Sequence, residues 1–96
     1  MTARDSEAAL LHRCAIAARE AVPAARDQRE ANVFHLAAMV VQSRFPRESD
    51  RLEEASERYF TTHPDERLAP VQVVRNGWVT NLPRLRDMLT QQLHRH

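Results

Sequence analysis

The 96-residue sequence contains no lysine, one cysteine and one glycine. The single cysteine, Cys14, excludes a disulfide framework and any multi-cysteine zinc or iron–sulfur site within one chain. The single glycine, Gly77, excludes the glycine-rich loops that hold phosphate in Walker-type and dinucleotide-type sites. We therefore expect no bound cofactor.

Strong net charge and long apolar runs are also lacking. All 14 basic residues are arginine, and with 13 acidic residues they give a formal charge of +1 and an isoelectric point near 8.1. That value is below the level of about 9 that marks a strongly basic nucleic-acid-binding domain. No run approaches the ~20 apolar residues of a membrane span, and the N-terminal stretch lacks the apolar segment of a signal peptide. We expect a soluble, cytoplasmic protein with no membrane partner.

The five prolines divide the chain into segments of helical rather than strand length, which predicts an all-α fold. We predict one domain over residues 1–96, a small bundle of four to five helices. The first helix spans residues 5–22, with apolar residues on one arc and with Thr2, or Asp5 and Ser6, as caps.

The second predicted helix is the most apolar element of the chain. It begins near Ala24 or Gln28 and ends at Phe45, because Pro46 disfavours a helical conformation before it. Only a narrow polar strip interrupts its apolar surface, and that strip consists of Asn32, His35, Gln42 and Ser43. Such a helix is expected to be covered on most sides, in the middle of a bundle or at a subunit interface.

Two further helices are predicted. The one over residues 47–61 has a single apolar stripe and otherwise charged residues, which is typical of a surface helix. The last helix follows Asn81, a potential N-cap, and its inward stripe consists of Leu82, Leu85, Met88, Leu89 and Leu93.

Residues 70–81 are compatible with two structures. In the first, which we favour, Pro70 opens a short helix over residues 71–75 and Asn76-Gly77 end it with a left-handed cap. In the second, the β-branched residues before Asn76-Gly77 and the segment 78–80 after them form a short β-hairpin with a type I′ turn.

Catalytic and metal-binding patterns are weak. His12 and Cys14 are two residues apart on a helix and therefore point in nearly opposite directions, so they cannot form a nucleophile–base pair. The sequence also lacks the Glu-x-x-His pairs of di-metal helical bundles. We predict that the chain is not an enzyme, with a metal- or cofactor-holding bundle centred on His35 as a weaker alternative.

Self-association is the function class that the composition favours. Large apolar residues are few, yet the second helix carries more apolar surface than a thin bundle easily covers, and docking a second copy would satisfy both facts. We predict a non-catalytic protein-interaction or regulatory module acting as a homodimer, with a further protein partner as another use of the same surface. The predicted interface residues are Val33, Phe34, His35, Val40, Val41, Tyr59 and Trp78.

Nucleic-acid binding is the main alternative. From Pro70 onward four arginines face one acidic residue, and arginine forks bind phosphate and guanine edges. A small DNA-binding regulator or antitoxin-like protein would use these side chains. The candidate residues are Arg75, Arg84, Arg86 and Gln91. The nearly neutral overall charge disfavours this alternative.

Overall fold

The computed structural model describes the backbone of residues 3–94 and the side chains of residues 7–94. These residues form five α-helices and a short 3-10 turn, with no strand among them. The elements are α1 (Ala3–Arg19), α2 (Gln28–Val41), α3 (Pro46–Thr62), the 3-10 turn (Pro64–Glu66), α4 (Pro70–Arg75) and α5 (Leu82–His94). The predicted all-α bundle is thus confirmed. The predicted capping side chains of the first helix, those of Thr2, Asp5 and Ser6, lie outside the described side chains.

α2 lies in the middle of the bundle and packs against α1, α3, α4 and α5. Its large apolar residues form the centre of the core, and Phe34 has no exposed surface. The second half of α1 packs through small residues, since Ala15, Ala17 and Ala18 are buried and an alanine face allows close approach of a neighbouring helix. None of the helices within residues 3–94 has the length and apolar character that crossing a bilayer requires.

Two serine hydroxyl groups on α3 donate hydrogen bonds to the backbone of α2. Ser49 donates to the carbonyl oxygen of Ala38 at 2.7 Å, and Ser56 donates to that of Ala31 at 2.8 Å. Both serines are buried, so each hydroxyl satisfies its donor within the seam between the helices. These contacts allow α3, whose sequence is rich in charged residues, to pack closely on the most apolar helix.

Residues 70–81 contain the short helix α4 and no hairpin. Gly77 has φ of +77° and donates its N–H to Val74 O at 2.9 Å, while Trp78 donates to Val73 O at 3.3 Å. This pair of hydrogen bonds is the Schellman motif that closes a helix C-terminus. The alternative hairpin around Asn76-Gly77 was wrong, because a type I′ turn needs positive φ at both residues and Asn76 has φ of −72°.

The last helix begins as its sequence predicts. The Asn81 side-chain oxygen accepts a hydrogen bond from the Arg84 backbone N–H at 2.8 Å, which satisfies one free donor of the first turn. The stripe formed by Leu85, Leu89 and Leu93 is buried. α5 therefore closes the core against α1 and α2.

Candidate functional site

A buried carboxylate joins the start of α2 to α1. Glu30 is 3% exposed, and its Oε2 accepts a hydrogen bond from Arg13 Nε on α1 and lies 2.9 Å from the Arg26 guanidinium. The Arg26 backbone N–H donates to Oε1 at 3.1 Å. Asp27 caps α2 by accepting from the Glu30 N–H at 2.9 Å. These contacts fix the entry into α2 and tie it to α1, which is a structural role.

A buried amide holds the segment between α3 and α4. The Asn32 side-chain NH₂ donates to Gln28 O at 2.8 Å and to Glu66 O at 3.0 Å, while its oxygen accepts from the Leu68 N–H at 2.8 Å. The Gln28 side chain donates to the same Glu66 oxygen at 3.2 Å. This part of the predicted polar strip therefore satisfies backbone groups of a loop.

The only cysteine is unsuited to nucleophilic chemistry. Cys14 has no exposed surface, and burial raises the pKa of its thiol to about 12, with a smaller contribution from the nearby Glu30 carboxylate. His12 is exposed, and the His35 ring contacts Glu53 instead, so the structure pairs neither histidine with the thiol. A thiol with this pKa remains protonated at neutral pH, whereas nucleophilic attack and metal binding require the thiolate.

His35 lies beside carboxylates of α3. Its Nδ1 is 2.9 Å from both carboxylate oxygens of Glu53, and both side chains are partly exposed. Arg67 Nη2 donates a hydrogen bond to Glu57 Oε1 at 2.7 Å. This hydrogen bond holds the pKa of the Glu57 carboxyl below its usual value. Among the described residues, no three His, Cys, Asp or Glu side chains are grouped as metal ligands. The geometry around His35 adds no support to the metal-holding alternative.

The predicted interface residues fall into two groups. Val33, Phe34 and Val41 are at most 2% exposed and lie inside the core. The other four are half-buried at the surface: His35, Val40, Tyr59 and Trp78.

A residue that sequence reasoning missed lies among them. Met39 is 52% exposed, and because it follows His35 by four residues the two side chains share a face of α2. Gln42, also exposed, extends this face by one turn. We call the surface made by His35, Met39 and Gln42 the α2 strip. The position of Met39 between His35 and Gln42, two residues of the predicted polar strip, was visible in the sequence.

The predicted nucleic-acid residues are not gathered in one place. Arg86 and Gln91 line two adjoining depressions between α5 and the end of α2, and Arg44 and Thr90 line both of them. Arg75 and Arg84 are exposed and line neither depression. The arginine that lies near Arg86 and Gln91 is therefore Arg44, which is far from them in sequence.

A further depression of about 350 Å³ lies on the other side of the α2–α3 turn. Arg19 at the end of α1 lines it together with Arg47 and Arg51 on α3. Arg51 also donates to the carbonyl oxygen of Arg19, which satisfies a free acceptor at the end of α1. Sequence reasoning missed these arginines, although basic residues on both sides of Pro46 were a signal that the turn is cationic.

No protein-family model matches the chain, and comparison with curated proteins and with solved structures finds no similar protein.

Proposed function

We propose that the chain is a non-catalytic protein-interaction or regulatory module that acts as a homodimer through the α2 strip. The observation that carries this proposal is the exposure of Met39 in the most apolar helix. Among the described large hydrophobic residues, only Met39 and Val71, at 52% and 60%, are more than one third exposed. Apart from half-buried Val40, the other large apolar residues of α2 are covered by its own chain.

A second copy of the chain suits this surface. A two-fold axis places the same residues against each other, so each Met39 would meet the partner's α2 strip. Methionine is flexible and packs against irregular surfaces, and the His35–Glu53 pair supplies a polar rim beside it. The proposal thus moves the predicted interface outward, from buried Val33 and Phe34 to the accessible face of the same helix.

The aromatic residues of the predicted interface have internal partners. The Tyr59 hydroxyl donates to Glu66 Oε1 at 2.6 Å, and its ring stacks on His63 with 4.2 Å between centroids. Trp78 packs against the hydrophobic core. In the proposed dimer these rings support the fold, and Met39 is the anchor.

The substitution Met39→Asp tests the proposal. At micromolar concentration, we expect sedimentation equilibrium to give a dimer for the wild type and a monomer for the variant. The two-fold axis would bury the introduced carboxylate of each copy against that of the other, and two like charges repel. Circular dichroism should show unchanged helicity, because Met39 is exposed within the chain.

Val71→Asp is the matched control, since it adds the same charge at the other exposed apolar residue. We expect this variant to remain a dimer. A folded wild-type monomer at micromolar concentration would refute self-association. Loss of the dimer in the Val71 variant alone would move the interface to α4.

A further inference from the structure

We infer that five arginines around the α2–α3 turn bind the phosphate backbone of duplex nucleic acid. We call this surface the arginine belt, and its members are Arg19, Arg44, Arg47, Arg51 and Arg86. They line the depressions on the two sides of the turn. The inference goes beyond the proposed dimerisation and concerns another side of α2.

The belt concentrates positive charge on a nearly neutral molecule. Two acidic residues, Glu48 and Asp87, line the same depressions, so the five arginines leave a formal charge of +3 there. The whole chain carries +1, which means that the remainder is net negative. The asymmetry, which the overall charge conceals, is the electrostatic pattern of a surface that attracts an anion.

Two arginines of the belt are available to a ligand. Arg44 and Arg47 make no ion pair with any residue of the described part, and both are exposed. The pair of Arg86 with Asp87, at 3.3 Å, has more than half of each side chain exposed, so an incoming phosphate can replace it at small free-energy cost. Guanidinium groups bind phosphate oxygens through two parallel hydrogen bonds.

The arrangement favours an extended polyanion over a single small anion. Arg44 lines the depressions beside α5, whereas Arg47 lines the one beside α1, so the belt offers phosphate groups more than one position. Ser43, Thr90 and Gln91 add hydroxyl and amide groups that can donate to phosphate oxygens.

Duplex nucleic acid fits the belt better than a single strand or an acidic protein. Single-strand binding relies on exposed aromatic rings, and Phe45, the ring next to Arg44, is half-buried. Acidic protein partners usually need an apolar anchor, and of the apolar residues that line the depressions Ala18 and Val41 are at most 2% exposed and only Val40 is half-buried.

Fluorescence anisotropy with a labelled random-sequence DNA duplex tests the inference. We expect wild-type binding that weakens steeply between about 50 and 200 mM salt. In the double variant Arg44→Ala/Arg47→Ala the dissociation constant should rise about tenfold, and the salt slope should fall by about two, as loss of two phosphate contacts requires.

The matched control is Arg75→Ala/Arg84→Ala, which removes the same charge from two exposed arginines outside the belt. We expect it to bind nearly as the wild type does, and thermal melts should show both variants folded. The inference is overturned if the wild type fails to bind duplex at low salt, if both double variants lose equal affinity, or if a single strand or polyglutamate binds more tightly than duplex. Because Met39→Asp leaves the belt intact, the two proposals fail independently.

Discussion

Glu30 carries a charge in a place where an isolated carboxylate would be strongly destabilising. Its side chain is 4% exposed, whereas those of Arg13 and Arg26 are 34% and 63% exposed. The carboxylate therefore bears most of the desolvation, and the two guanidinium groups offset it while remaining partly hydrated. Removing the carboxylate would leave cations that can turn toward water, so the loss is smaller than for a fully buried pair.

We expect Glu30→Gln to lower the free energy of unfolding by about 1–3 kcal/mol, because the amide keeps the shape but loses the charge that holds both arginines. Urea denaturation would measure the change. Glu57→Gln is the control, since its ion pair with Arg67 is 41–50% exposed and its loss should change stability by no more than about 1 kcal/mol. Equal losses in both variants would contradict this role of Glu30.

Single-residue roles were predictable only where one helix determines them. The polar strip on α2 follows from its own periodicity, and His35, Gln42 and Ser43 do lie at the surface, whereas Asn32 is buried. The burial of Glu30 depends on Arg13, which is 17 residues away on another helix. Met39 is exposed because no neighbouring helix covers that side of α2. A helical wheel of α2 predicts neither the burial of Glu30 nor the exposure of Met39.

At the scale of elements, the segment 70–81 shows how one dipeptide can serve two structures. Asn-Gly favours a hairpin when both residues have positive φ, and a helix end when only the glycine does. The sequence around Asn76-Gly77 supports both. The buried position of Val73 in the core and the prolyl start of α4 at Pro70 agree with the helix, and the Schellman hydrogen bonds complete it.

Gly77→Ala isolates the conformational part of this cap. A Cβ at residue 77 would meet no atom within 4 Å, so only the left-handed backbone opposes the substitution. We expect a loss of about 1 kcal/mol in unfolding free energy, measured by urea denaturation. Gly77→Asn should lose less, because asparagine tolerates this conformation. An alanine variant as stable as the wild type would show that residue 77 does not keep its positive φ in solution.

At the scale of the whole molecule, the helical class and the helix order were predictable because each helix carries its own periodicity and stop signals. The arginine belt was not, since it depends on which helices are neighbours. Arg19 and Arg51 are 32 residues apart, and Arg44 and Arg86 are 42 apart. Packing of α1 and α5 around α2 brings these arginines to one end of the bundle. The charge distribution along the chain instead predicted Arg75 and Arg84 as nucleic-acid residues.

The buried thiol makes the stability of the whole fold sensitive to alkali. The pKa of Cys14 rises from 9.0 to about 12 on folding, so the unfolded chain loses the proton first. The stability that this group contributes is complete below about pH 9 and is lost toward pH 12, at up to about 1.4 kcal/mol per pH unit. The hydrogen bond to Glu66 raises the pKa of Tyr59 to about 12 and acts in the same direction.

We therefore expect the urea midpoint of the wild type to fall as the pH rises from about 9 to about 11. Cys14→Ala should be less stable at neutral pH but should lose less on going to high pH, retaining only the part that comes from Tyr59. Parallel pH profiles for the two proteins would show that the thiol is not protected from ionisation by the fold.

The alanine face of α1 has a consequence for the temperature dependence of folding. Alanine has no rotamers to lose when it is buried, so Ala15, Ala17 and Ala18 pack without a side-chain entropy loss. They also bury little apolar area, and it is the apolar area exposed on unfolding that raises the heat capacity. The alanine face of α1 therefore adds little to the heat-capacity change of unfolding, and its contribution to stability varies gently between cold and physiological temperatures.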